Sequence, residues 1–142
     1  MDARFNRTLN EIPPVSENEN VSILRDSIAA HNDPSTRDQY LDDYDAEAFT
    51  LHGAEADSFA ALEAFYEVVW ETIPDLEVTI DRAIADGDEV AIRYSWEGTH
   101  AETGETVSLE SGLTWYRFED GKIVERWVAS GTDAAIRDIL EP

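Results

Sequence analysis

The stretch that decides the fold is SGLTWYRFEDGKIVERWVASG, residues 111–131. Two runs rich in aromatic and β-branched residues flank Glu119-Asp120-Gly121. That spacing predicts a β-hairpin, with Gly121 in the left-handed position of a bulged three-residue turn. Working backwards, TVSLESGLTWYRF, EVAIRYSWEGTH and LEVTIDRAIA read as further strands, with Thr103-Gly104 and Asp86-Gly87 as turn signals between them. With KIVERWVAS they form an antiparallel meander.

Upstream the period changes to helical. SFAALEAFYEVVWETI starts at Asp57 or Ser58 and ends at Pro74. It carries Phe59, Leu62, Phe65, Tyr66, Val69 and Ile73 on one broad stripe. A first helix starts from Ser16, with Glu19 completing a capping box, and runs to about Ala30 with Val21, Leu24 and Ile28 at helical spacing. HNDPS breaks it, Ser35 caps a short second helix with Tyr40 and Leu41, and AEAFTLHG alternates like a strand. TDAAIRDIL closes the chain as a helix capped by Thr132. Residues 1–15 hold no sustained period and read as an N-terminal arm ahead of a domain spanning 16–142. Helices first and a meander afterwards predict an α+β domain with helices on one sheet face.

A chain of 142 residues with 42% hydrophobic content supports one core, and the absence of cysteine excludes disulfides and thiolate chemistry. No apolar run approaches membrane-spanning length, so a soluble, cytoplasmic protein with no membrane partner is expected. Charge is the extreme property. Asp and Glu number 32 against 10 basic residues, for a net charge of −22, and Lys122 is the only lysine. The acids are dispersed rather than gathered in a tail, and their mutual repulsion is relieved by salt. This is the composition expected of a halophilic cytoplasm, and an ordinary acidic cytosolic protein is the alternative. Nucleic acid is not an expected partner, because no basic patch is present. Three separated histidines and scattered acids give no metal-ligand spacing.

The segments LHG, IPDLEVTIDRAIADGDEVAIRY, EGTH and YRFEDGKIVERW, in that order, resemble the SnoaL-like polyketide cyclase family of the nuclear transport factor 2-like superfamily. The resemblance spans roughly residues 16–140. It implies a cone-shaped, curved antiparallel sheet wrapped around the N-terminal helices, enclosing a pocket for a small hydrophobic or carbonyl-bearing ligand. It also implies cofactor-free chemistry of a polyketide or ester cyclase-like lyase or isomerase, and pairing of two copies through their sheets. The family's acid/base Asp and its partner His fall at Val128 and Thr114, or at Gly131 for the acid of a variant motif. None of these moves a proton near neutral pH, so the usual cyclase Asp is not retained.

Turn geometry supplies a register. Three-residue loops at Glu119–Gly121 and Glu102–Gly104 set Phe118 opposite Lys122, Thr114 opposite Arg126 and Trp96 opposite Glu110. One face then collects Tyr94, Trp96, His100, Glu110, Thr114, Tyr116, Arg126, Val128 and Ser130, and the other Leu113, Trp115, Ile123 and Trp127. The first reads as the pocket. His100 and Glu110 are the candidate catalytic pair, provided that curvature or a bulge closes a gap of roughly 13 Å. Otherwise His100 is a bonded residue of the GTH turn and Glu110 a solvated acid. Tyr66, Tyr94, Trp96, Thr114, Tyr116, Arg126 and Ser130 are candidate ligand contacts, with His52 pointing into the cone mouth or lying on the surface. Arg126 binds a ligand carbonyl or carboxylate, or pairs with one of the many acids. His31 reads as a cation at a helix C-terminus. The second, apolar face is the expected homodimer interface, with burial under the N-terminal arm or another element of the same chain as the alternative. A non-catalytic binding module and a dimeric scaffold remain the alternatives to an enzyme.

Overall fold

Asn18, rather than Ser16, caps the first helix: its side-chain oxygen accepts from the Val21 amide at 3.0 Å. The computed structural model describes residues 18–54 and 58–141, so Ser16 and the expected arm lie outside the described residues. Helix α1 spans Glu19–Asn32 and buries Val21, Leu24 and Ile28, the predicted stripe. The segment after it forms only a 3₁₀ turn, Arg37–Gln39. There Asp33 is the organising acceptor, taking hydrogen bonds from both the amide and the hydroxyl of Ser35. The short strand β1, Thr50–His52, follows. Helix α2, Phe59–Thr72, has Ser58 as its cap and buries Leu62, Tyr66 and Val69.

The meander then runs β2 (Glu77–Asp86), β3 (Glu89–Thr99), β4 (Thr106–Glu119) and β5 (Lys122–Val128). Helix α3, Ser130–Leu140, closes the chain, with Ala129 rather than Thr132 at its cap. Thr132 Oγ1 instead accepts from the Leu113 amide at 2.9 Å, which ties α3 to β4. The sheet order is β1-β5-β4-β3-β2, with β1 parallel to β5 and every other pair antiparallel. This is an α+β fold in which a curved sheet wraps around the helices.

Two register details decide the faces. Glu119 pairs with Lys122, so the hairpin turn is the two-residue Asp120-Gly121, at φ 50° and 77°, with both residues left-handed as a type I′ turn requires. A bulge follows at once, between Phe118↔Ile123 and Arg117↔Glu125, leaving Val124 as the extra residue. The pairs Tyr116↔Arg126 and Thr114↔Val128 are therefore two residues out of the expected register, and a slip of two preserves the face. Ile123 is the correction: placed outside from the sequence, it is fully buried opposite Phe118, because the bulge reverses it.

At the β3–β4 turn the slip is by one. Thr99 pairs with Thr106 and Trp96 with Leu109, and a second bulge at Glu110-Ser111 restores Tyr94↔Gly112. Ser111 sits there at φ 56°, an unusual conformation for a residue with a side chain.

The N-terminal helix is locked to the sheet by one side chain. Asn32 donates from Nδ2 to the Val78 carbonyl at 2.8 Å, and its Oδ1 accepts from the Val78 amide at 2.7 Å. Among the described residues no helix is long and apolar enough to cross a membrane.

Candidate functional site

The inner face of the sheet and the three helices enclose a cavity of about 280 Å³. Most of its wall is apolar, with Leu51, Leu62, Val78, Ile92, Trp96 and Ile136 contributing. Val68, Asp133, Arg137 and Glu141 form its more exposed side, where Arg137 bonds Asp133 at 2.8 Å one turn away on α3. An apolar cleft with a few convergent polar groups is the usual form of a small-molecule site. Away from that exposed side those groups are four tyrosines, His31 and Arg126.

Arg126 is the centre of the polar part. The strand alternation of β5 turns it inward, opposite Tyr116, and it is 6% exposed. Its Nε donates to Thr114 Oγ1 at 2.9 Å, and its Nη1 donates to the hydroxyl oxygens of Tyr66 at 2.9 Å and Tyr44 at 3.3 Å. The guanidinium carbon lies 5.0 Å from the centroid of the Tyr116 ring, a cation–π contact. Thr114 passes its own proton to the Trp127 carbonyl at 2.9 Å, so its oxygen is oriented to receive Arg126. Among the described residues no carboxylate pairs with Arg126. Burial pushes the hydroxyls of Tyr40, Tyr44, Tyr94 and Tyr116 up, so all four stay neutral. An arginine does not give up its proton in a protein. The site therefore holds one buried cation among neutral hydroxyls.

Tyr94 completes it. Its ring lies across Gly112, where an added Cβ would come within 2.8 Å of the ring carbon that bears the hydroxyl. That glycine is what lets the tyrosine lie flat on β4. The Tyr94 hydroxyl is buried against the cavity and has no hydrogen-bond partner of adequate geometry, although Arg126 is close enough to act on it.

His31 is inside as well, 1% exposed, packed edge-on against the Tyr40 ring at 4.8 Å. Trp70 Nε1 donates to its Nε2 at 3.2 Å, which leaves the proton on Nδ1, facing Asn32 Oδ1 at 3.3 Å. Burial is the main cause that lowers its pKa to about 4, with the charges of Arg37 and Arg126 acting in the same direction against the Asn32 bond. The expected helix-end cation is a neutral imidazole.

The sequence-derived candidates divide accordingly. Tyr66, Tyr94, Trp96, Tyr116 and Arg126 line one cavity. Thr114 is buried behind Arg126 and orients it without lining the cavity. Ser130 is exposed at the start of α3. His52 is on the outer face: it stacks on Trp127 at 5.1 Å and its Nε2 meets Glu125 at 3.0 Å. The structure does not bring His100 and Glu110 together. Glu110 is exposed in an acidic groove on the outside of the sheet, with Asp75, Glu77 and Glu97, because the bulge at Glu110-Ser111 points it outward. His100 is buried in the β3–β4 turn, where its Nδ1 accepts from the amides of Glu102 and Thr103. Neither lines the cavity.

Tyr40 and His31 are cavity residues that the sequence reading missed. Tyr40 was read only as a position on the short second helix. His31 shares the face of Ile28 one turn earlier, and that spacing was the available signal.

An α+β cone with an apolar, tyrosine-rich cavity is a nuclear transport factor 2-like architecture. Within it, residues 24–126 match the SnoaL-like domain model, and the chain belongs to that family. AclR of Streptomyces galilaeus, a proposed hydroxylase, is similar at 25% identity and TM-score 0.70, over 84% of this chain and 94% of its own. IdmH of Streptomyces antibioticus, a proposed polyketide cyclase, is 21% identical at TM-score 0.69, covering 88% of this chain and all of its own. A nuclear transport factor 2-like protein of unknown function from Burkholderia pseudomallei is 18% identical at TM-score 0.69, covering 88% and 99%. No curated protein matches the chain.

Proposed function

We propose that the protein binds a small, mostly apolar molecule inside the cone and holds one of its oxygens at the Arg126–tyrosine cluster. The observation that carries this reading is the enclosed cavity with Arg126 and the unpartnered Tyr94 hydroxyl on its wall. Mass spectrometry of the protein purified under native conditions tests it: a stoichiometric compound released on denaturation supports it. A cavity that takes up no apolar carbonyl compound from a diverse set counts against it.

A cofactor-free cyclase or isomerase acting on a carbonyl compound is the second reading. Arg126 favours it, since a fixed cation in an apolar site stabilises an enolate oxygen. It ranks second because the His100–Glu110 pair is not assembled and the cavity's one imidazole already accepts from Trp70. Faster exchange of the ligand's α-hydrogen for deuterium in the wild type than in Arg126→Met is the result that promotes it.

A homodimer through the outer face is part of the proposal. Leu113, Trp115 and Ile84 are about half exposed there and Trp127 lies beside Trp115. Arg82, Arg93 and Arg117 flank them, three of the ten basic residues on a surface otherwise dominated by acids. Two chains of charge −22 meet with least repulsion at that patch. Light scattering of Trp115→Glu should give the monomer mass, and a wild type that is monomeric in molar salt removes the dimer. We also propose a salt-rich cytoplasm as its setting. A melting temperature that rises through a KCl series supports this, and a flat one does not.

A further inference from the structure

We propose that the ligand of the cone is an organic anion, a compact aromatic or alicyclic carboxylate or enolate, whose charged oxygen closes on Arg126 and accepts a hydrogen bond from the Tyr94 hydroxyl. The inference rests on the binding reading above and adds the sign of the ligand's charge.

Burying an arginine costs several kcal/mol unless an anion or a full set of acceptors compensates. Arg126 has three neutral oxygens, on Thr114, Tyr66 and Tyr44, spread over Nε and Nη1. Among the described residues nothing accepts from Nη2. In a chain with 32 acidic residues a carboxylate partner is the easiest thing to supply, yet among the described residues none pairs with this cation. The hydroxyl of Tyr94, 3% exposed and without a partner, is a second unmet donor on the same wall. A guanidinium N–H and a phenol O–H that both lack an acceptor define a two-donor seat for one negatively charged oxygen. The apolar remainder of the wall suits the body of such a ligand and not a small inorganic ion, which would leave most of the cavity empty.

Net charge makes the site distinguishable from an ordinary surface cation. The field of a −22 protein repels an anion on approach, and salt screens that repulsion. The contact with Arg126 is made out of water and is screened far less. Anion preference should therefore grow with ionic strength, the reverse of a solvent-exposed arginine.

The test is calorimetric titration of the full chain with naphthoate and with the isosteric, neutral naphthamide. Potassium glutamate is the salt, because its anion is too polar for the cavity. Naphthoate should bind at least about tenfold tighter, the range for a hydrogen bond to a charged group, and the ratio should rise between about 0.2 M and 2 M salt. Arg126→Met should erase the ratio while naphthamide still binds. Tyr94→Phe, which removes only an unpartnered hydroxyl, should keep or raise the melting temperature of the empty protein yet weaken naphthoate several-fold; this variant decides the matter if Arg126→Met does not fold. Equal affinities for the two compounds in the wild type overturn the anion and leave the binding reading standing. A preference that shrinks with salt overturns its placement at Arg126. No binding of either compound overturns both.

Discussion

Along β4 the two sides of one strand face different surroundings. Thr114, Tyr116 and Phe118 are buried to 4% exposure or less, while Leu113 and Trp115, interleaved with them, keep about half of their surface open. Both faces are apolar, so hydrophobicity alone does not separate pocket from surface. What separates them is how their polar groups are bonded. Inside, Arg126 is held by hydroxyls that are themselves oriented. Outside, charge is paired at the surface, as in Arg117–Glu125 at 2.6 Å. The inner face needs its geometry to hold a buried cation; the outer face has only weak, solvent-screened pairs to lose.

The largest expected effect tests this contrast between neighbouring residues. Tyr116→Ala should cost roughly 3–5 kcal/mol in urea unfolding, as for a buried aromatic truncation. Trp115→Ala, measured in dilute monomer, should cost no more than about 1 kcal/mol. Equal losses would remove the distinction between the faces.

Acid sharpens it further. His31 titrates near 4 in the folded chain, below its unfolded value of 6.5, so the unfolded state takes up the proton first. Its contribution is complete above pH 6.5 and is lost as pH falls towards 4, a difference on the order of 3 kcal/mol. The stability of wild type minus His31→Gln, measured at fixed high salt, should fall over that window. A parallel pair of curves would mean that His31 is not a buried neutral group.

Gly112→Ala should cost about 1–3 kcal/mol through overpacking against the Tyr94 ring, and it should tilt that ring off β4. Urea unfolding gives the cost, and the shift of the Tyr94 ring resonances reports the tilt. The smallest effect belongs to the outer face: Arg117→Ala should change the melting temperature slightly at low salt and not at all in molar salt. A loss that persists at high salt would place Arg117 in a buried network.

The inner face was legible in the sequence because side-chain parity survives an error of two residues. The hairpin turn is one residue shorter than its Glu-Asp-Gly signal suggested, the bulge at Val124 adds one more offset, and the two act in the same direction. Tyr116 and Arg126 thus remain on the expected side. At Glu110 a single offset was left, and it turned that acid outward, away from the buried His100 with which it had been paired. Bulges carry little sequence signal where, as at Glu110-Ser111, no glycine marks them. The rest of the Arg126 cluster was unreadable for another reason: Tyr40 and Tyr44 come from the turn segment after α1, and only the packed fold brings that segment beside Tyr66 and β5.

Asn32 has a consequence beyond anchoring α1. Strand β2 is an edge of the sheet, and an uncovered edge offers its amides and carbonyls to any other strand, the route to aggregation. The Asn32 carboxamide occupies both backbone groups of Val78 and so imitates the neighbouring strand that is missing. The opposite edge, β1, is only three residues long. In a concentrated salt solution, where charge repulsion no longer keeps molecules apart, such blunted edges are what remains to keep one sheet from extending into the next.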